Sequence, residues 1–99
     1  MTLDELKNAI AHVDSCARLE KKRIYYGYVA EHAQFKVRDI ITDGSDIILI
    51  ERIDFKLADN GTPIIYYHGE KLTRTLMPRK IKTYRVVYEE RAQLVRRGA

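Results

Sequence analysis

The spacing of apolar residues changes once along this chain, and that change limits the architectures open to it. Before about residue 21 the period is helical. Leu6, Ala9, Ile10, Val13, Cys16, Ala17 and Glu20 follow the three- and four-residue spacing of one helix face. Thr2 with Glu5 three residues on forms a capping box, and Asp4 and Glu5 suit the positive end of the helix dipole. Lys21, Lys22 and Arg23 suit the other end. The spacing predicts a helix over about 3–21.

Beyond it the residues are strand formers separated by turn chemistry. Ile24–Ala30 reads as a strand and Phe35–Ile41 as a second. Thr42-Asp43-Gly44-Ser45 is a turn, because Asp-Gly supplies the positive φ of tight hairpins. Ile47–Leu57 is the longest strand, with Ile47, Leu49, Ile53, Phe55 and Leu57 on one face and Arg52, Asp54 and Lys56 on the other. Glu51 interrupts the apolar face and marks a bulge or an edge. Residues 58–63, Ala-Asp-Asn-Gly-Thr-Pro, form another turn. Ile64–Tyr67 then reads as a strand, His68-Gly69-Glu70 as a turn, and Leu72–Met77 as the return. Pro78 interrupts pairing. Ile81–Tyr88 is the last strand, with residues 89–99 a tail that forms a short helix or frays. The sum is an α+β fold in a single domain over 1–99. One N-terminal helix packs on an antiparallel sheet of five or six strands across about 24–88, or caps a small bent barrel.

Charge says more about partners. The chain has net charge +4, unevenly spread: residues 1–50 hold seven Lys/Arg against eight Asp/Glu, a net of −1, and residues 51–99 hold eleven against six, a net of +5. The basic excess concentrates in KLTRTLMPRKIKTYR, where Lys71, Arg74, Arg79, Lys80, Lys82 and Arg85 stand with no acidic residue among them. Such a field with aromatic neighbours suits nucleic acid, RNA or DNA. Lys and Arg neutralise phosphates, and Tyr84, with Tyr66 and Tyr67 from the preceding hairpin, supplies rings on which bases stack. Lys80, Lys82 and Tyr84 share a face of the last strand in this reading, and Ile64–Met77, with Lys71 and Arg74 on its return, forms a projecting ribbon. The expected function is a small basic binding module without catalytic activity.

A second class fits the same residues. Edge strands carry Lys and Arg against aggregation. The basic face then docks on an acidic protein surface, as an assembly subunit or a small inhibitor, and Tyr26 and Tyr28 serve as interface anchors. Exposed edges also allow self-association by sheet extension. A third reading is a small ribonuclease, with His68 as general base and Arg74 or Lys71 stabilising charge.

Metal and cofactor chemistry find little footing. His12 and Cys16 have the spacing of a metal half-site, but zinc needs three or four ligands and nothing pairs the remaining histidines, His32 and His68. No nucleophile elbow, Gly-rich phosphate loop or His-Glu-x-x-His run occurs. No cofactor is expected. Cys16 is the only cysteine, so no intramolecular disulfide forms. The N-terminus carries Asp4 and Glu5 where a signal peptide needs positive charge, and the longest apolar run is Ile47–Ile50. These features place the protein in the cytoplasm and away from membranes.

Overall fold

The computed structural model describes residues 1–13 and 18–98. Two helices, α1 (Leu3–Ala11) and α2 (Arg18–His32), precede five strands: β1 (Ile40–Thr42), β2 (Ile47–Leu57), β3 (Pro63–Leu72), β4 (Tyr84–Tyr88) and β5 (Gln93–Arg96). The strands form one antiparallel sheet in the order β4-β3-β2-β1-β5. The architecture is α+β, as the change of period implies. The sheet stays open, with β4 and β5 as edges, so the barrel alternative is excluded.

The first helix begins as expected. The Thr2 hydroxyl accepts the Glu5 amide at 3.2 Å, and Leu6 is fully buried. It ends at Ala11, capped by His12, rather than running to residue 21. The expected strand at Ile24–Ala30 is instead the second half of α2. The Arg18–Arg23 segment is rich in helix formers, and the aromatic residues after it also satisfy a helical spacing. Tyr25 and Tyr26 both meet the Phe55 ring at 5.2 Å, and Val29, one turn on, enters the core at 2% exposure. Burying Val29 and these rings against β2 and β3 outweighs a strand preference whose whole scale spans about 1 kcal/mol.

The long strand β2 has the expected bounds, and the bulge marked by Glu51 is present. Ile50 pairs with Gly69 and Arg52 with His68, leaving Glu51 without a partner. The extra residue reverses the alternation. Ile48 and Ile50 before it face the same side as Ile53 and Phe55 after it. The expectation that Ile47 and Leu49 share that side is corrected by this shift.

On the third strand, the segment read as a turn, His68-Gly69-Glu70, lies within continuous β3. Gly69 is there because nothing larger fits: a Cβ at this position would overlap the Leu49 carbonyl at the bulge. The chain turns later, over Thr73–Met77, where Thr73 N–H donates to the Met77 carbonyl at 2.8 Å and Leu76 takes φ 64°. The expected return strand Leu72–Met77 is therefore absent, and a bridge from Leu72 to Pro78 is the remnant of it. Phe35–Asp39 is also non-strand, leaving only Ile40–Thr42 as β1. In the tail, a 3-10 turn at Glu89–Arg91 leads to β5, which pairs with β1.

The core lies on one face of the sheet, where Ile41, Ile48, Ile50, Ile65, Tyr67 and Val87 meet Val29 of α2 and Phe35. No helix among the described residues is long and apolar enough to cross a membrane.

The bulge predicts opposite outcomes for two glycine substitutions, read by chemical denaturation. Gly69→Ala loses roughly 2–4 kcal/mol, because backbone rather than a movable side chain obstructs it. Gly27→Ala, in exposed α2 with open space around it, is neutral or gains up to about 1 kcal/mol.

Candidate functional site

The basic stretch does not form a ribbon. Residues 73–83 lie outside the named strands, tied back to β3 through Pro78 and Thr83, and Arg74, Lys80, Ile81 and Lys82 are exposed on this connection between β3 and β4. Lys80 and Lys82 thus do not share a strand face with Tyr84. Three of the six cations are already partnered. The Arg85 guanidinium donates to Asp43 Oδ2 at 2.7 Å and pairs with Asp46 Oδ2 at 2.8 Å. Lys71 and Arg79 approach Asp46 at 3.9 and 3.8 Å. Arg85 stands across from Gly69 in the β3–β4 register, so no side chain obstructs its reach toward the β1–β2 turn. The Arg85 Nε is buried without a partner among the described residues.

Asp43 and Asp46 are turn residues by sequence, and they are counter-ions as well. Asp43 Oδ1 accepts the Ser45 and Asp46 amides, both at 2.9 Å. The Asp46 amide, then the Ser45 amide and the Arg85 guanidinium, hold the Asp43 carboxyl down at about 2 against the burial that opposes them. Nothing in local sequence links residues 43 and 85; only the fold brings them together.

The second face of the sheet carries a different surface. Cross-strand pairing aligns Arg52, His68 and Val86 in one row, Asp54, Tyr66 and Tyr88 in the next, and Leu49, Glu70 and Tyr84 in a third. These residues lie on the face opposite the core, although Asp54 still reaches Tyr26 of α2. His68 stacks on Tyr84 with ring centroids 5.6 Å apart and planes 9° from parallel. Tyr66 meets Tyr88 edge-on at 6.0 Å, and the Lys56 ammonium sits 4.8 Å over the Tyr88 ring. Tyr84 is 48% exposed and Val86 37%. Two carboxylates share this face. Asp54 accepts the Tyr26 hydroxyl at 2.8 Å and lies 3.9 Å from Arg52, and Glu70 is almost wholly enclosed. The result is a shallow aromatic platform with Arg52 and Lys56 on it and the exposed Arg74, Lys80 and Lys82 on the adjoining connection.

The expected stacking residues therefore divide. Tyr66 and Tyr84 lie on the platform. Tyr67 is fully buried: its hydroxyl donates to Glu89 Oε1 at 2.8 Å and accepts the Phe35 amide at 3.3 Å, so its ring is closed to any ligand. Burial and the Glu89 carboxylate both push its hydroxyl pKa up. Tyr26 and Tyr28 belong to α2, Tyr26 bonded to Asp54 and Tyr28 stacked on His32 at 4.1 Å. His68 and Tyr88 join the platform without a sequence expectation that places them there. The alternation of Tyr66, His68 and Glu70 is the signal for His68, and the turn chemistry of residues 68–70 obscures it. His68 and Lys71 lie on opposite faces of β3, so the histidine and lysine of the ribonuclease reading do not share a site. Cys16 lies outside the described residues.

No protein-family model, curated protein or solved structure matches this chain.

The Asp43 clasp predicts an acid-side loss of stability. Its folded pKa of about 2 lies below the ordinary 3.8, so its contribution is complete above about pH 4 and is lost as pH falls toward 2. Asp43→Asn, which keeps an acceptor for the turn amides, is expected to cost about 1–2 kcal/mol at neutral pH. It should also flatten the pH dependence of denaturation between 4 and 2, the window set by those two values.

Proposed function

We propose that this protein is a small, non-catalytic nucleic-acid-binding module that holds a single strand on the open face of its sheet. The observation that carries this reading is the pair of aromatic contacts on that face, His68–Tyr84 and Tyr66–Tyr88, next to a connection bearing the exposed cations Arg74, Lys80 and Lys82. A single strand offers bases that stack on flat rings and phosphates that Lys and Arg neutralise. A shallow, open sheet suits splayed bases better than it suits a duplex, whose bases are already stacked.

The residues carry unequal roles. Tyr84 is the principal stacking surface, with His68 behind it to hold the ring in place. Tyr66 and Tyr88 extend the platform. Lys80, Lys82 and Arg74 take phosphates from the connection, and Arg52 and Lys56 take them across the sheet. Lys71, Arg79 and Arg85 contribute through the net positive charge of their cluster with Asp43 and Asp46, since their heads are already paired. A cytoplasmic setting suits this reading, with Cys16 kept reduced and single-stranded RNA at hand.

Fluorescence anisotropy with labelled single-stranded RNA and a duplex DNA control tests it. The expected result is salt-sensitive binding, with a log–log slope of roughly −2 to −4 for three to five engaged cations, and preference for the single strand. Tyr84→Ala should weaken binding about tenfold, the loss of one stacked base, and Lys80→Glu/Lys82→Glu should reduce the slope. A flat salt response with Tyr84→Ala indistinguishable from wild type would sink the proposal and turn attention to an acidic protein partner.

A further inference from the structure

The sheet ends at β4 in an edge that carries little of the usual protection. Its sequence, Tyr-Arg-Val-Val-Tyr, has no Pro and no Lys, and its register with β3 is unbroken. The one charge within it, Arg85, is turned to the core side and held by Asp43 and Asp46. Beside the strand lies an open cleft of about 390 Å³ whose lining includes Asp43, Arg85, Val87, Glu90 and Arg91.

Hydrogen-bond parity fixes which backbone groups this edge offers. Lys71 N–H donates to the Thr83 carbonyl at 2.8 Å. In an antiparallel ladder hydrogen-bonded pairs alternate, so Gly69/Arg85 and Tyr67/Val87 are the bonded pairs within the sheet. Tyr84, Val86 and Tyr88 therefore turn their N–H and C=O groups outward, three residues in step.

We propose that β4 pairs antiparallel with β4 of a second copy, about a two-fold axis through Val86. This register sets Val86 opposite Val86 and Tyr84 opposite Tyr88 twice, so every outward-facing residue meets an outward-facing partner. Registers displaced by half a step, with Val86 opposite Val87, set outward groups against inward ones and fail. The same register carries Lys82 of each copy toward Glu90 of the other, giving two symmetric opposite-charge contacts beyond the strand ends. The other edge lacks this complement: β5 is exposed along its length, ends in Arg96 and is flanked by Arg91 and Arg97, with no acid between them. An isologous contact of this kind closes on itself as a dimer. It also joins the two open faces into one, with Tyr84 and His68 of one copy beside Tyr88 and Tyr66 of the other.

Sedimentation velocity of the full chain, without nucleic acid, across micromolar to millimolar concentration tests the proposal. The expected result is a monomer–dimer equilibrium. Val86→Pro removes an outward N–H while leaving the β3–β4 bonds intact, and should abolish the dimer with an unchanged far-ultraviolet circular dichroism spectrum. Lys82→Glu should weaken the dimer roughly tenfold, and Lys82→Glu/Glu90→Lys should restore it. Concentration-dependent hydrogen-exchange protection should appear at the Tyr84, Val86 and Tyr88 amides. A protein monomeric across the whole range overturns the proposal. So does a dimer indifferent to Val86→Pro and to the charge reversals, or open-ended growth, which would mean β4 pairing with β5 of the next copy.

Discussion

The bulge at Glu51 is the constraint on which the two faces of this protein depend. A strand of eleven residues in strict alternation would send either Ile48 and Ile50 or Ile53 and Phe55 into solvent. One unpaired residue puts all four on the same side. Gly69 is the other half of the device, because the β3 backbone passes too close to the Leu49 carbonyl for any side chain. With those four residues gathered on the core side, the opposite face carries Arg52, Tyr66, His68, Tyr84 and Tyr88 beside Leu49, Glu70 and Val86. The aromatic platform is thus a consequence of the same register shift that builds the core.

Three carboxylate clasps then fix the parts that no ladder holds. Asp39, 4% exposed, accepts the Lys36 amide at 2.9 Å and the Gly98 amide at 2.8 Å, tying the start of β1 to the C-terminal segment. Glu89 accepts the Gln34 amide at 2.7 Å and the Tyr67 hydroxyl, tying the 3-10 turn to the end of α2 across the core. Asp43 and Asp46 tie the β1–β2 turn to Arg85 on the far edge of the sheet. Hydrogen bonds to charged groups are worth about 1.5–3 kcal/mol where water is excluded and less where it is not. The Asp39 clasp, nearly enclosed, therefore contributes more than the half-exposed Arg85 cluster. The third bears on the proposed function, since it withdraws three basic groups from the surface that sequence alone offers to a polyanion.

What the sequence discloses follows from the range of the forces involved. The start of α1, the Asp-Gly turn with Gly44 at φ 95°, the bounds of β2, the bulge and the Asn-Gly turn with Gly61 at φ 82° are all local, and all are legible. The second half of α2 is not. Ile24, Tyr25, Tyr26, Tyr28 and Val29 prefer strands, and only packing on Phe55 and the core makes them helical. Gly69 misleads for a similar reason: its role is close approach to another strand, not a turn. The candidate site is legible in part. Tyr84 and Tyr66 lie on the platform, and Arg74, Lys80 and Lys82 stay exposed, where the proposed roles need them. The pairing of Arg85 with residues 43 and 46, and the placement of His68 beside Tyr84, depend on a strand order that no local pattern encodes.

The most direct test of this division of labour is a titration of isotope-labelled protein with short single-stranded RNA at low salt, followed residue by residue through amide and side-chain chemical shifts. The account predicts perturbations at Arg52, Lys56, Tyr66, His68, Tyr84 and Tyr88 and along the β3–β4 connection, with α1, the outer surface of α2 and the buried Tyr67 unmoved. Perturbations centred on the helices or confined to the Asp43–Asp46 turn, or none at all, would contradict it.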